Sequence, residues 1–118
     1  MNGYQIYHNP RCSKSRQTLA ILEEHGIAPE VVLYLDSIPD IATLKSLLGK
    51  LGMSARQLMR TGEDAYKEMN LADVNLSEQQ LLEAMVAQPK LIERPIVVKG
   101  NKAVLGRPPE NVLALIGK

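Results

Sequence analysis

Phenylalanine and tryptophan are absent from this 118-residue chain, which has four tyrosines. Hydrophobic residues make up 45% of it, enough for a core that must be aliphatic, with methionine and a few tyrosines completing it. An excess of charge of one sign is also lacking. Fourteen Lys and Arg against 13 Asp and Glu leave a net charge of +1. That balance gives no electrostatic case for a nucleic-acid or membrane partner, so any anion site must come from local clustering of charge. No apolar run approaches the roughly 18 residues of a membrane span. The start, MNGYQIYHNP, lacks the basic and then apolar stretch of a signal peptide. The chain reads as cytoplasmic, where thiols stay reduced. The glycosylation-type triplet Asn75-Leu76-Ser77 would matter only in a secreted protein.

Cysteine is almost lacking too. Cys12 stands alone, so it closes no internal disulfide. If it does redox chemistry, the second sulfur comes from another molecule. One cysteine and two separated histidines, His8 and His25, make no closed ligand set for a metal.

The length fits a single domain over residues 1–118. YQIY at 4–7 alternates and reads as a strand; SKSRQTLAILEEH at 13–25 reads as a helix, with Gly26 beyond its end. VVLYL at 31–35 is a continuous apolar run, the pattern of a strand buried on both faces. A helical insertion of three or four short helices is expected over about 37–90. Within it Ile41, Leu44, Leu47 and Leu48 share a helical face, and Leu81, Leu82 and Met85 form a stripe. Ser54 with Gln57, and Ser77 with Gln80, fit capping boxes. Strands at 95–98 and 103–105 flank a two-residue turn at Gly100-Asn101, and a last helix is expected over 109–117. The order is βαβ, a helical block, then ββα.

Cys12 falls just beyond the carboxyl end of the first strand, where a helix begins. Unpaired N–H groups and the positive end of the helix dipole favour a thiolate there. His8, Arg11, Lys14 and Arg16 are cationic neighbours in sequence, and Ser13 and Ser15 offer hydroxyls to a sulfur or a bound oxyanion. The alternative is a buried, inert cysteine acting as a small hydrophobe. Arg94 and Arg107 each precede a proline, which favours extended backbone and places both on loops flanking the tail hairpin. Arg60 closes the helical run SARQLMR. Guanidinium forks suit tetrahedral oxyanions; three ordinary surface arginines are the plain alternative.

YHNPRCSKSRQTL, VVLYLDSIP, SARQLMR, LIERPIVV and GRPPENVL, taken together and in this order, resemble the glutaredoxin-coupled arsenate reductase family from about Tyr4 to Leu115. The resemblance implies an α/β, thioredoxin-like fold with a mixed four-stranded sheet and a helical insertion. It implies Cys12 as nucleophile, His8 helping to hold it as thiolate, and Ser15 as a hydrogen-bond partner of the sulfur. It implies Arg60, Arg94 and Arg107 as the oxyanion-binding set and Pro95 as a cis-proline. It implies no bound cofactor, with arsenate as the substrate, glutathione as the co-substrate and glutaredoxin as the protein partner. One departure stands beside the nucleophile, where Ser13 and Lys14 replace the small residues of plasmid-type members. Two other functions share this fold: a glutathione-dependent thiol–disulfide reductase with another substrate, and a non-enzymatic transcription regulator that docks on RNA polymerase. Many such regulators carry Cys-x-x-Cys, whereas here the second position is Ser15.

Overall fold

The structure, a computed structural model, describes residues 3–117. In chain order its elements are β1 (Tyr4–Tyr7), α1 (Ser13–Glu24), β2 (Glu30–Val32), α2 (Ile41–Leu51), α3 (Ala55–Leu58), α4 (Asp64–Glu68), α5 (Glu78–Ala87), β3 (Ile96–Lys99), β4 (Lys102–Leu105) and α6 (Leu113–Ile116). Single 3-10 turns occupy Pro89–Leu91 and Pro109–Val112. The chain groups into two compact units. One runs to Ser37 and resumes at Arg94; the other is Ile38–Glu93.

The first unit holds a mixed sheet in the order β2-β1-β3-β4. β2 is parallel to β1, while β3 is antiparallel to both β1 and β4. Alternation sends Tyr4 and Ile6 to one face of β1. There they form a core with Leu22 and Ile27, Val97 of β3 and Val112, against which Leu19, Leu115 and Ile116 pack. Burying a leucine such as Leu22 is worth about 1.5–3 kcal/mol, so this aliphatic cluster fixes α1 against the sheet. α1 ends before Gly26, whose φ of +76° reverses the chain at little cost. Gly100, at φ +60°, does the same at the first central position of the tail hairpin.

Two sequence expectations are corrected. Val31–Leu35 is not one strand buried on both faces. Pairing stops at Val32, and the chain then turns as the N–H groups of Asp36 and Ser37 donate to the Leu33 carbonyl at 2.9 and 2.8 Å. β2 lies at the edge of the sheet, and Val31 is 45% exposed. The tail helix is also divided. Proline opens it as a 3-10 turn at Pro109, and only Leu113–Ile116 is α-helical.

In the second unit, Ser54–Gln57 and Ser77–Gln80 form complete capping boxes at α3 and α5. Asp40 caps α2 by accepting from the Thr43 N–H. α5 packs on α2, α3 and the Pro89–Leu91 turn, with Leu81, Leu82, Ala84 and Met85 buried. A single antiparallel bridge joins Met59 to Ile92. Among the described residues no helix is long and apolar enough to cross a membrane.

Of the described glycines, Gly106 is the one whose Cβ position is crowded by neighbours. The Thr18 hydroxyl donates to its carbonyl at 3.4 Å, and its N–H donates to the Pro95 carbonyl at 2.9 Å. A Cβ built here would lie 2.5 Å from Thr18 Oγ1 and 2.8 Å from Pro95 Cγ. The proline ring cannot swing aside, so Gly106→Ala is expected to cost about 1–3 kcal/mol, the range for overpacking. Urea unfolding measures this, and an unchanged midpoint would show that the contact yields freely.

Candidate active site

Cys12 is the N-cap of α1, with extended backbone at φ −95° and ψ 123°. The loop before it is braced from within. The Cys12 N–H donates to the Asn9 carbonyl at 3.0 Å, Asn9 Oδ1 accepts from the Arg11 N–H at 3.0 Å, and Arg16 Nη1 donates to the Pro10 carbonyl at 2.8 Å. The first N–H groups of a helix have no partner within it. A capping Ser or Asp normally uses an oxygen to accept from them; Cys12 holds that position without forming a side-chain cap hydrogen bond.

Cys12 is 9% exposed. Burial alone would push it up. The Ser15 amide, the Arg94 guanidinium, the Lys14 amide and the Arg107 guanidinium together outweigh burial, and the thiol titrates below its ordinary value. Arg107 Nη1 lies 4.0 Å from Cys12 Sγ and donates to the Arg94 carbonyl at 3.3 Å.

The sheet explains why two residues so distant in sequence arrive here. Tyr7, Ile96 and Leu105 share one row across β1, β3 and β4. Arg94 therefore precedes β3, and Arg107 follows β4, at the end of β1 that leads to Cys12. The Gly106-to-Pro95 hydrogen bond ties the two loops together. Both arginines precede cis peptide bonds, Arg94-Pro95 and Arg107-Pro108. The resemblance implies the first bond; no reading of the sequence anticipated the second.

His8 and Ser15 meet beside this group. His8 Nδ1 lies 2.6 Å from Ser15 Oγ, which also accepts from the Asn9 N–H at 3.1 Å. Burial, and then the positive charge of Arg16, hold the imidazole below its usual range. Both disfavour the imidazolium, and His8 is not among the groups that lower the thiol. Ser15 acts on the thiol through its backbone amide, while its hydroxyl engages His8 and Asn9. The positive charge comes from Arg94 and Arg107 rather than from cations adjacent in sequence. Arg60 belongs to the second unit, where Nη1 pairs with Glu63 at 2.7 Å and Nε with Glu93 at 3.4 Å. No cluster of three or more His, Cys, Asp or Glu suited to a metal occurs among the described residues.

A buried cysteine at a helix N-terminus, titrating below its ordinary value at the carboxyl end of a βαβ unit joined to a ββα tail, defines a thioredoxin-like thiol protein. The chain belongs to the ArsC family, whose profile matches residues 7–115. It is 64% identical to the uncharacterized protein YfgD of Escherichia coli strain K12, over 96% of each chain. It is 53% identical to an arsenate reductase of Neisseria meningitidis, over 98% of this chain and all of that one. The solved arsenate reductase of Vibrio cholerae superposes with a TM-score of 0.92 at 54% identity, covering 94% of this chain and 95% of that one.

Alkylation of Cys12 across a pH series is expected to show a midpoint below the value of about 8.5 for an ordinary thiol. Arg94→Ala and Arg107→Ala should each raise that midpoint, because each removes a charge that favours the anion. A wild-type midpoint at or above the ordinary value would remove the thiolate from the site.

Proposed function

We propose that the protein reduces arsenate to arsenite through a covalent bond between Cys12 and arsenic, with glutathione as reductant and glutaredoxin to regenerate the thiol. The observation that carries this is a cysteine sulfur with Arg107 Nη1 4.0 Å away and its titration lowered by Arg94 and Arg107. A nucleophile beside fixed positive charge suits a small tetrahedral oxyanion.

Arg94 and Arg107 hold the arsenate oxygens. The Cys12 thiolate attacks arsenic, a sulfur–arsenic bond forms, and one oxygen departs as water after taking up protons. Covalent capture divides a hard reduction into easier steps. A glutathione thiolate then attacks Cys12 Sγ. A sulfur–sulfur bond forms, the sulfur–arsenic bond breaks, and its electron pair goes to arsenic, which falls from the +5 to the +3 state. Arsenite leaves, and glutaredoxin takes the glutathionyl group from Cys12. An outside thiol is required because the chain has no second cysteine.

Arg94→Ala and Arg107→Ala are each expected to weaken arsenate binding by about 1.5–3 kcal/mol, the range for hydrogen bonds to charged groups. Steady-state kinetics reads this; unchanged constants in both would take them out of the reaction. Arg60→Ala, assayed beside them, reads whether the third arginine implied by the resemblance takes part. Cys12→Ser should abolish turnover, since a serine hydroxyl is scarcely ionised near neutrality. The deciding assay is arsenate reduction with glutathione and glutaredoxin each present or omitted. Turnover that persists in Cys12→Ser, or without glutathione, would refute the covalent route, and no turnover under any condition would refute the activity.

A further inference from the structure

The loops at the carboxyl end of the sheet stand in the order of their strands. Val32, Tyr7, Ile96 and Leu105 form one row across β2, β1, β3 and β4. The Leu33–Asp36 turn after β2 therefore lies on one side of the Cys12 loop, and Arg94 and Arg107 lie on the other. Between that turn and the loop before Cys12 is a cleft of about 350 Å³, with Asn9, Arg11, Leu33, Leu35 and Asp36 among its lining residues. Small-molecule sites begin at about 300 Å³. Leu33, 39% exposed, gives the cleft an apolar surface. Arg11 and Asp36 are exposed and add one charge of each sign, and neither forms an ion pair among the described residues. The Arg11 backbone is fixed by its bond to Asn9 Oδ1, so its side chain projects from a set position.

We propose that this cleft seats the reducing thiol, an extended zwitterionic peptide thiol of the glutathione type. Its carboxylate meets Arg11, its ammonium meets Asp36, and its sulfur reaches Cys12 from the side of β1 opposite the two arginines. The identity of the thiol rests on the function proposed above. The geometry gives the side of approach a chemical reason. Displacement at sulfur requires the incoming sulfur, Cys12 Sγ and the departing atom to lie in line. The departing arsenic is held on the side of Arg94 and Arg107, so the attacking thiolate comes from the side of β2. The sulfur–sulfur bond forms there as the sulfur–arsenic bond breaks on the far side, its electron pair leaving with arsenic.

Reduced Cys12 also reacts with glutathione disulfide, giving a Cys12–glutathione mixed disulfide and releasing one glutathione thiolate. Mass spectrometry follows that reaction in the intact protein without arsenate. Rates for wild type, Arg11→Glu and Asp36→Asn are compared with those for the uncharged bis(2-hydroxyethyl) disulfide. Each variant is expected to slow the glutathione reaction about fivefold and the uncharged one less than about twofold, the scale of one exposed charge contact. Asp36→Asn is the sharper arm. Glutathione disulfide carries net negative charge, so the long-range field alone would make that variant faster. In the arsenate assay both variants should raise the KM for glutathione and leave that for arsenate unchanged. Equal effects on the two disulfides, no effect, or a faster Asp36→Asn would overturn the proposal. If arsenate is not reduced at all, discrimination between the disulfides still decides for or against the cleft. If arsenate is reduced without that discrimination, the cleft falls and the activity stands.

Discussion

The open first turn of α1 and two distant guanidinium groups favour the anion of the Cys12 sulfur, and the first unit is arranged so that they can. The sulfur is nearly removed from water, which by itself disfavours the charged form. Two amides and two guanidinium groups reverse that preference. The amides come from the helix itself. The guanidinium groups need the whole sheet, because only the antiparallel pairing of β3 with β1 and β4 returns residues 94 and 107 to the end of β1. The core beneath, with Ile6, Leu22 and Val97 in one cluster, keeps helix and sheet from sliding apart.

The neutral side of the site is arranged with equal care. Ser15 Oγ accepts from Asn9 and meets His8, while Arg16 holds the Pro10 carbonyl. These contacts fix the loop leading to Cys12 without placing another charge on the sulfur. Positive charge is thereby concentrated on the β3–β4 side, and the β2 side keeps a cleft of mixed character. The ArsC profile, over residues 7–115, spans both flanks of the cysteine and both arginine loops.

What the sequence disclosed follows the range of the forces involved. The capping boxes at Ser54 and Ser77 were legible because they close within four residues. β1, α1 and the Gly100 turn were legible for the same reason. The Val31–Leu35 run misled, because an apolar string does not disclose whether strands lie on one side of it or both. The order β2-β1-β3-β4 decides that, and it leaves Val31 at an edge. The charge around Cys12 misled similarly. Neighbours in sequence, His8 among them, looked like the source, whereas the sheet supplied Arg94 and Arg107. Their convergence was legible only through the family resemblance. The cis bond after Arg107 was not legible at all, because cis and trans X–Pro differ by only about 0.5–1 kcal/mol before tertiary packing acts.

The cysteine cap also governs how readily a bond to that sulfur is broken. The amides of Lys14 and Ser15 and the charges of Arg94 and Arg107 favour Cys12 as an anion. Any covalent partner removes that anion and forfeits their support. A sulfur whose anion is favoured is the better leaving group in thiol–disulfide exchange. The chain has no second cysteine to expel such a partner, so in the proposed cycle the ease with which Cys12 departs would let an external thiol reset it.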